Sequence, residues 1–441
     1  MRKKSCRPAL LGAILGLGLS LNALAQTDPA GTLTIPETVR KVLDRNTTLK
    51  EAEDAVAVVR ARIDQLKSGL IPNVRGDASY SRIGPIDEFT FPGFGTFQLF
   101  PANNYDIHTG VRQLIYDGKK TKESIALAES QVEGALDRWE ILKRDLAFQT
   151  IQLCDSILFL RQSLRVQSDH IKALSDHLEI ARKKVAAGTA TELEVLNTQV
   201  RVVAAQNQAV DLGALVEKQT LVLQQLMRLE DQPPFELSGE FRYQPAPLDR
   251  EALIRAALQQ RLETRSLQNS LKSAGIEVHL ADLTHQPVVS ANVLLGAKNG
   301  YIPDLNMVKL NFVAAVTASI PLFDGNLGRA QKAQATANLK TIEDRGQALV
   351  EMIKTEVRQA MADVRASDQK LKAVEINIEQ AQKAMAFARA RYEAGTITNL
   401  DMLDTEDALA EAEFAKLRAL YQFVLSKLTL QRAVGDALVG E

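Results

Sequence analysis

Two long stretches of the chain place residues at alternating steps of three and four. Ile157, Leu160, Leu164, Gln167, Ile171, Leu174, Leu178, Ala181 and Val185 form one series, and Leu371, Val374, Ile378, Ala381, Met385, Ala388 and Tyr392 form another. Mostly apolar positions at that spacing make a heptad seam, which faces a partner helix along its length. Proline is absent from 102–232 and from 322–441. A proline inside a helix costs about 3 kcal/mol, so both stretches can hold uninterrupted helices. The pattern predicts helices over 119–186 and 326–393, each roughly 100 Å long at 1.5 Å per residue. A compact core has no use for helices of that length, whereas a structure that bridges a wide gap does.

Each long helix should end at a glycine, Gly188 or Gly395, placed where a left-handed C-terminal cap requires one. A returning helix follows each, over 191–229 and 398–434. Its seam reads Leu193, Leu196, Val200, Val203, Asn207 and Val210 in the first case. In the second it reads Leu400, Leu403, Asp407, Ala410, Phe414 and Leu417. The two tips are copies: 181–206 aligns without gaps on 388–413, with Ala187-Gly188-Thr189, Thr191, Leu193, Leu196 and Thr198 meeting identical residues. The same offset places Tyr116-Asp117-Gly118 on Phe323-Asp324-Gly325, where the long helices begin and Asp is a favoured N-cap. A repeat of this length marks an internal duplication.

Between the prolines the period falls to two. Val74, Gly76, Ala78 and Tyr80 alternate with polar neighbours, as do Ile107, Thr109, Val111 and Ile115. Val289, Ala291, Val293 and Leu295, then Leu310, Phe312, Ala314, Val316 and Ile320, repeat the pattern in the second copy. These predict strands over 72–84, 105–116, 287–298 and 308–322, apolar on one face, as in tilted strands of a membrane barrel. A soluble antiparallel sheet shows the same alternation. Four strands cannot close a barrel, so the membrane reading requires several chains, and three would supply twelve strands. The Phe-rich loop 85–104 and its shorter counterpart 297–307 would lie outside the cell. Helices over 37–70 and 250–284 precede each strand pair. The chain thus divides into a first repeat (26–230), an extended linker girdling the helices (231–249), a second repeat (250–434) and a tail (435–441).

Composition narrows the function. Residues 1–25 carry a basic start, a short apolar run from Leu10 to Leu21 and the small-x-small site Ala23-Leu24-Ala25, the pattern of a secretory signal cut after Ala25. Cys6 lies before the apolar run, which leaves Cys154 alone in the mature chain and no internal disulfide. Fifty-three basic residues balance 54 acidic ones, which argues against a nucleic-acid partner. The five histidines (108, 170, 177, 279 and 285) form no metal-ligand spacing, and HExxH, GxxxxGK[ST] and GxSxG are absent. No enzyme activity, cofactor or metal is expected.

The segments RYEAGTITNLDMLDTEDALAEAE (391–413) and KVAAGTATELEVLNTQVRVVAAQ (184–206) resemble the helix-tip motifs of the TolC-like outer-membrane efflux proteins. VRQLIYDGKK and ASIPLFDGNLG resemble that family's strand-to-helix turns. The resemblance covers essentially all of the chain after the signal. It implies a mainly α fold with a small β part: a homotrimer with a twelve-stranded β-barrel in outer-membrane lipid, continued by a twelve-helix tunnel of long antiparallel coiled-coil helices. It also implies a periplasmic adaptor (a membrane fusion protein) docked on the tips, and an inner-membrane pump of RND or ABC type beyond it.

The resemblance singles out residues as well. Asp401 and Asp404, one turn apart on one helix face, fall on acidic positions of the second tip motif and would form acidic rings at the tunnel mouth; a solvated helix face is the simpler alternative. Tyr392 and Glu194 occupy the positions of a tyrosine-to-carboxylate latch between neighbouring helices. A basic residue usual two positions past the second glycine is Ile397 here, so the ion pairs of the gate should differ. Gly188, Thr189, Leu193, Gly395, Thr396 and Leu400 form the tips that would meet the adaptor. A periplasmic coiled-coil scaffold, or an adaptor, would share the helical hairpins. The scaffold leaves the four strands unexplained, and an adaptor has one hairpin without the duplication.

Overall fold

The computed structural model describes residues 31–93, 95–229, 235–245 and 248–436. The signal reading of 1–25 lies outside the described residues, as does the tail beyond Asp436. In chain order the elements are β1 (Thr32–Thr34), α1 (Ile35–Arg45), α2 (Thr47–Ser68), β2 (Asn73–Arg82), β3 (Glu88–Phe91), β4 (Gly95–Gln98), β5 (Asn103–Tyr116), α3 (Lys120–Ala186) and α4 (Glu192–Met227). There follow β6 (Glu236–Ser238), α5 (Arg250–Gln260), α6 (Leu262–Asp282), β7 (Val288–Lys298), β8 (Lys309–Ser319), α7 (Leu327–Glu393) and α8 (Asn399–Val434). The long helices α3 and α7 have 67 residues each, a span of about 100 Å. The chain is mainly helical.

The four long strands form one antiparallel sheet in the order β2-β5-β7-β8. The central pair, β5 and β7, joins the two halves of the chain, and β2 and β8 are its open edges. Register makes the sheet two-faced. One face holds the rows Val74–Val111–Val293–Ala314, Gly76–Thr109–Leu295–Phe312 and Ala78–Ile107–Ala297–Leu310, with no charged side chain. The other holds Asn73–Arg112–Asn292–Ala315, Arg75–Gly110–Leu294–Val313, Asp77–His108–Gly296–Asn311 and Ser79–Asp106–Lys298–Lys309. The apolar face is bare: Leu310 is 91 % exposed and Phe312 75 %. Gly296 is required by its neighbour. A Cβ there would collide with the Ile107 carbonyl and with the His108 ring, which crosses β7 to meet Asn311 at 3.1 Å.

Below the sheet the helices form rows of four. Next to the strands the order is α2-α3-α6-α7; nearer the tips it is α4-α3-α8-α7. Two apolar clusters hold the middle, one around Cys154, Ile157, Leu223 and Met227, the other around Ile353, Val357 and Phe423. Residues 235–245 of the linker run across these helices. Phe241 packs edge-on against Tyr421, and Tyr243 packs against Phe423 and bonds Asp368.

Several sequence expectations need correction. The helices expected over 37–70 and 250–284 are each two. Asn46 ends α1 in extended backbone and caps α2 by accepting from the Thr48 and Leu49 amides at 2.9 and 3.3 Å, the local bonding that favours Asn at caps. Arg261 breaks the second, also extended. The loop 85–104 contains the β3-β4 hairpin, where Phe and Thr alternate across the pairs. The linker contributes β6, which pairs in parallel with β1. The returning-helix seams diverge. Leu193 and Val200 are 64 % and 67 % exposed, and α4 buries Thr198, Val202 and Ala205 instead. In α8, Leu403, Ala410 and Leu417 are buried as expected. The cause is position in the row: α4 is an edge helix against α3, whereas α8 lies between α3 and α7.

At the Arg261 break an ion cluster ties α3, α6 and α7. Arg261 is 5 % exposed and meets Glu263 at 3.1 Å and Glu356, while Arg144 donates to both Glu263 oxygens at 3.1 and 2.9 Å. Burial pushes the Glu263 carboxyl upward, but the bonds from Arg144 and Arg261 outweigh it and bring the pKa down to about 2. A carboxyl lowered on folding stabilises fully above its ordinary pKa of 4.5 and loses that contribution as pH falls toward about 2. Glu263→Gln should therefore destabilise by about 3 kcal/mol near neutrality, because Arg144 and Arg261 lose the carboxylate they share and keep only Asp145 and Glu356. It should also flatten the acid limb of thermal unfolding, measured by circular dichroism in detergent.

Candidate functional site at the helical tips

The tips are built from local backbone chemistry, twice over. Gly188 and Gly395 adopt φ of 73° and 72°, a region that costs other residues roughly 1–2 kcal/mol. The Gly188 amide donates to Val185 O and the Thr189 amide to Lys184 O, both at 2.9 Å; Gly395 and Thr396 repeat this on Tyr392 O and Arg391 O at 3.1 and 2.9 Å. This bond pair is the Schellman cap. The Thr189 and Thr396 hydroxyls add a second bond each to the Lys184 and Arg391 carbonyls, at 3.1 Å. No atom lies within 4 Å of a Cβ built on either glycine, so the glycines answer a backbone need and leave the tip surface open. Leu193 and Leu400 are exposed just behind it.

The acidic candidates have partners that sequence reasoning missed. Asp401 closes a capping box: it accepts from the Thr398 amide at 3.0 Å and hydroxyl at 2.7 Å, and Thr398 Oγ1 accepts from the Asp401 amide at 3.1 Å. Those bonds from Thr398 hold its carboxyl below the usual range. Thr398-x-x-Asp401 was the readable signal for this. Asp404 is exposed on its own turn, 3.2 Å from Arg201 of α4. Arg201 also pairs with Asp407, which sits 3.2 Å from His170. The signal was the repeat itself, because Arg201 falls on Ala408 of the second copy.

Tyr392 and Glu194 do not bond within the chain. The Glu194 carboxylate turns to Thr191, accepting from its amide and hydroxyl at 3.3 and 3.4 Å. Tyr392 belongs instead to a buried node that joins all four tip helices. Its hydroxyl donates to Asn399 Oδ1 at 3.3 Å, and the same oxygen lies 2.7 Å from His177 Nε2. Asn399 Nδ2 donates to Thr198 Oγ1 at 3.3 Å and to Glu194 O at 3.5 Å. The His177 ring stacks on Tyr392 at 4.9 Å. Lys184 Nζ lies 3.7 Å over the Tyr392 ring and donates to Tyr392 O at 2.7 Å.

The node assigns a proton. Asn399 Oδ1 accepts from His177 Nε2, so His177 Nδ1 presents a lone pair. That nitrogen faces Glu406 Oε1 at 3.6 Å, with the side chains 1 % and 2 % exposed. At that distance no hydrogen bond forms, so neither group has a partner that would hold its charge in so dry a site. Burial pushes the Glu406 carboxyl up to about 7 and the His177 imidazole down, which favours neutral acid against neutral base. A carboxyl raised on folding loses its stabilising contribution as pH rises through its folded value. Amide hydrogen exchange at the tips should thus quicken as pH rises through about 7 beyond its intrinsic dependence. Glu406→Gln, which keeps the shape and cannot ionise, should abolish the excess.

Burial raises the Cys154 thiol to about 12, an inert value, and among the described residues no group of His, Cys, Asp and Glu converges to hold a metal ion. No described helix is long and apolar enough to cross a membrane.

Comparison with known proteins agrees with this architecture. The outer membrane efflux protein BepC of Brucella suis is 21 % identical over 98 % of this chain and 91 % of its own. The outer membrane protein VceC of Vibrio cholerae superposes with a TM-score of 0.75 at 15 % identity, over 92 % of this chain and 96 % of its own. The CmeC outer membrane channel of Campylobacter jejuni does so with a TM-score of 0.75 at 16 % identity, over 98 % and 94 %. The family model for outer membrane efflux proteins matches residues 38–227 and 253–436, and the chain belongs to that family.

Proposed function

We propose that three copies of this chain close into one conduit across the outer membrane and the periplasm. The observation that carries the reading is the two-faced sheet with both edges open. Its bare apolar face suits lipid, and the outward backbone groups of β2 and β8 need partners wherever water is absent. Pairing β8 of one copy with β2 of the next satisfies both edges. Two copies would make eight strands, a barrel whose interior side chains fill; three make twelve and leave a passage. The edge helices give the same support. The exposed stripe of Leu193, Leu196, Val200, Val203 and Val210 on α4 would seat a neighbouring copy, so the helical rows close beneath the strands. A scaffold or adaptor in water would have no use for the apolar sheet face.

In this reading the tips are the periplasmic mouth. Gly188, Thr189, Leu193, Gly395, Thr396 and Leu400 meet a periplasmic adaptor, through which an inner-membrane pump supplies cargo and energy. Asp401 and Asp404 stand at the opening, with Arg201 offsetting part of their charge. Tyr392, held against His177 and Asn399, fixes the closed packing, and Glu194 takes part through its backbone carbonyl.

The tests separate location from docking. Membrane fractionation should recover a heat-resistant trimer in outer membranes, and the purified protein should form channels in planar bilayers; a soluble monomer would defeat the proposal. Gly188→Val with Gly395→Val should strain both caps and abolish export while the trimer still assembles. Normal export in that variant would remove the tips from adaptor docking.

A further inference from the structure

The polar face of the sheet carries an uneven charge. Its rows hold four basic side chains, Arg75, Arg112, Lys298 and Lys309, against two acidic ones, Asp77 and Asp106. Asp106 is engaged by the His108 ring. Among the described residues none of the four cations has a carboxylate within salt-bridge reach. Arg112 and Arg75 occupy successive rows toward the helix end of the sheet, and the two lysines share a row toward the loop end. The opposite face is apolar throughout its central rows, so the polar face is the one that would look into the passage.

We infer that the barrel passage of this protein is an anion-selective segment, and that its cargo includes compounds carrying net negative charge. This rests on the conduit reading above. Twelve strands spaced about 4.8 Å apart and tilted by about 40° enclose a ring roughly 24 Å across. Three copies place Arg75 and Arg112 as adjacent girdles of three around it, with the lysines beyond. At 0.01 M salt the screening length is about 30 Å, wider than the ring; at 1 M it is about 3 Å, far narrower. The field therefore fills the passage at low salt and hugs the wall at high salt. For six net positive charges at about 12 Å from the axis, a monovalent anion should be concentrated roughly ten-fold over bulk at low salt and a monovalent cation depleted by about the same factor.

The test uses the full-length trimer in planar bilayers, with inositol hexaphosphate and hexaamminecobalt(III) as polyvalent probes of opposite sign. In 10 mM KCl, hexaphosphate added to one side should block the current, hexaamminecobalt on that side should not, and the block should vanish in 1 M KCl. Arg75→Gln with Arg112→Gln should raise the blocking concentration at least ten-fold while conductance in 1 M KCl stays unchanged. Lys298→Gln with Lys309→Gln should raise it more modestly, and supplies the measurement if the arginine variant does not assemble. Channels that conduct but are not blocked by hexaphosphate from either side would overturn the inference and leave the conduit standing, as would unaltered block in both variants. Absence of any conductance would overturn the conduit reading as well.

Discussion

An apolar sheet with unpaired edges cannot stand alone in lipid, and most of this architecture answers that constraint. In hydrocarbon each backbone N–H or C=O without a partner costs several kcal/mol. The edge strands β2 and β8 are 10 and 11 residues long, and about half of their backbone groups point away from the sheet. No rearrangement within one chain can satisfy them, because each already pairs on its inner side. Association of copies is therefore part of the fold in the proposed conduit. In the proposed conduit the edge helices extend the same logic into water, where the exposed stripe on α4 would gain from burial against the next copy rather than from backbone pairing.

Duplication builds the frame cheaply, since one sequence pattern makes strands, long helix, Schellman turn and returning helix twice. It also makes the two halves alike, and a closing device needs them unlike. The buried tip node lies where the copies differ. His177, Tyr392, Asn399 and Glu406 fall on Ala384, Val185, Glu192 and Gln199 of the other copy. A node of this kind is stable only while each polar atom is matched. Asn399 is nearly saturated, bonding Tyr392, His177 and Thr198. Glu406 and His177 are the unmatched part: their side chains touch, and Glu406 Oε2 and His177 Nδ1 have no hydrogen-bond partner. The tip is thus held by contacts whose strength can be altered without breaking the apolar clusters above it.

The sequence made the frame legible because its signals are local and periodic. Steps of three and four without proline specify a long helix, alternation specifies a half-apolar strand, and Gly188 and Gly395 mark turns that only a left-handed residue completes. What stayed hidden depends on neighbours distant along the chain. The seam of α4 was readable as an apolar stripe, but its partner was not, because α4 and α8 carry like patterns and occupy different places in the row. Arg201 with Asp404, and His177 with Glu406, join residues of opposite halves, and no spacing rule links them. Asp401 is the instructive case. Its local signal, a threonine three residues before an acidic one at a helix start, was present, and it gives the carboxylate a capping role beside the proposed acidic ring.

The capping bond bears on how charge is distributed along the proposed passage. Read as sequence, the tip motif makes the mouth strongly acidic. With Asp401 bonded into its own helix start and Asp404 beside Arg201, the mouth keeps its negative charge but offers less of it to a passing ion. The cations of the sheet have no comparable partners, so the stronger unbalanced field lies at the barrel end. Such a field selects without holding. A site that bound cargo tightly would slow its release, whereas transport requires attraction strong enough to admit and weak enough to let go. Charges spread over several rows of a wide ring meet both requirements, because no single position brings more than a few of them close to the cargo. Selection by the wall of the passage also needs no moving part, so in the proposed conduit opening is left to the tips.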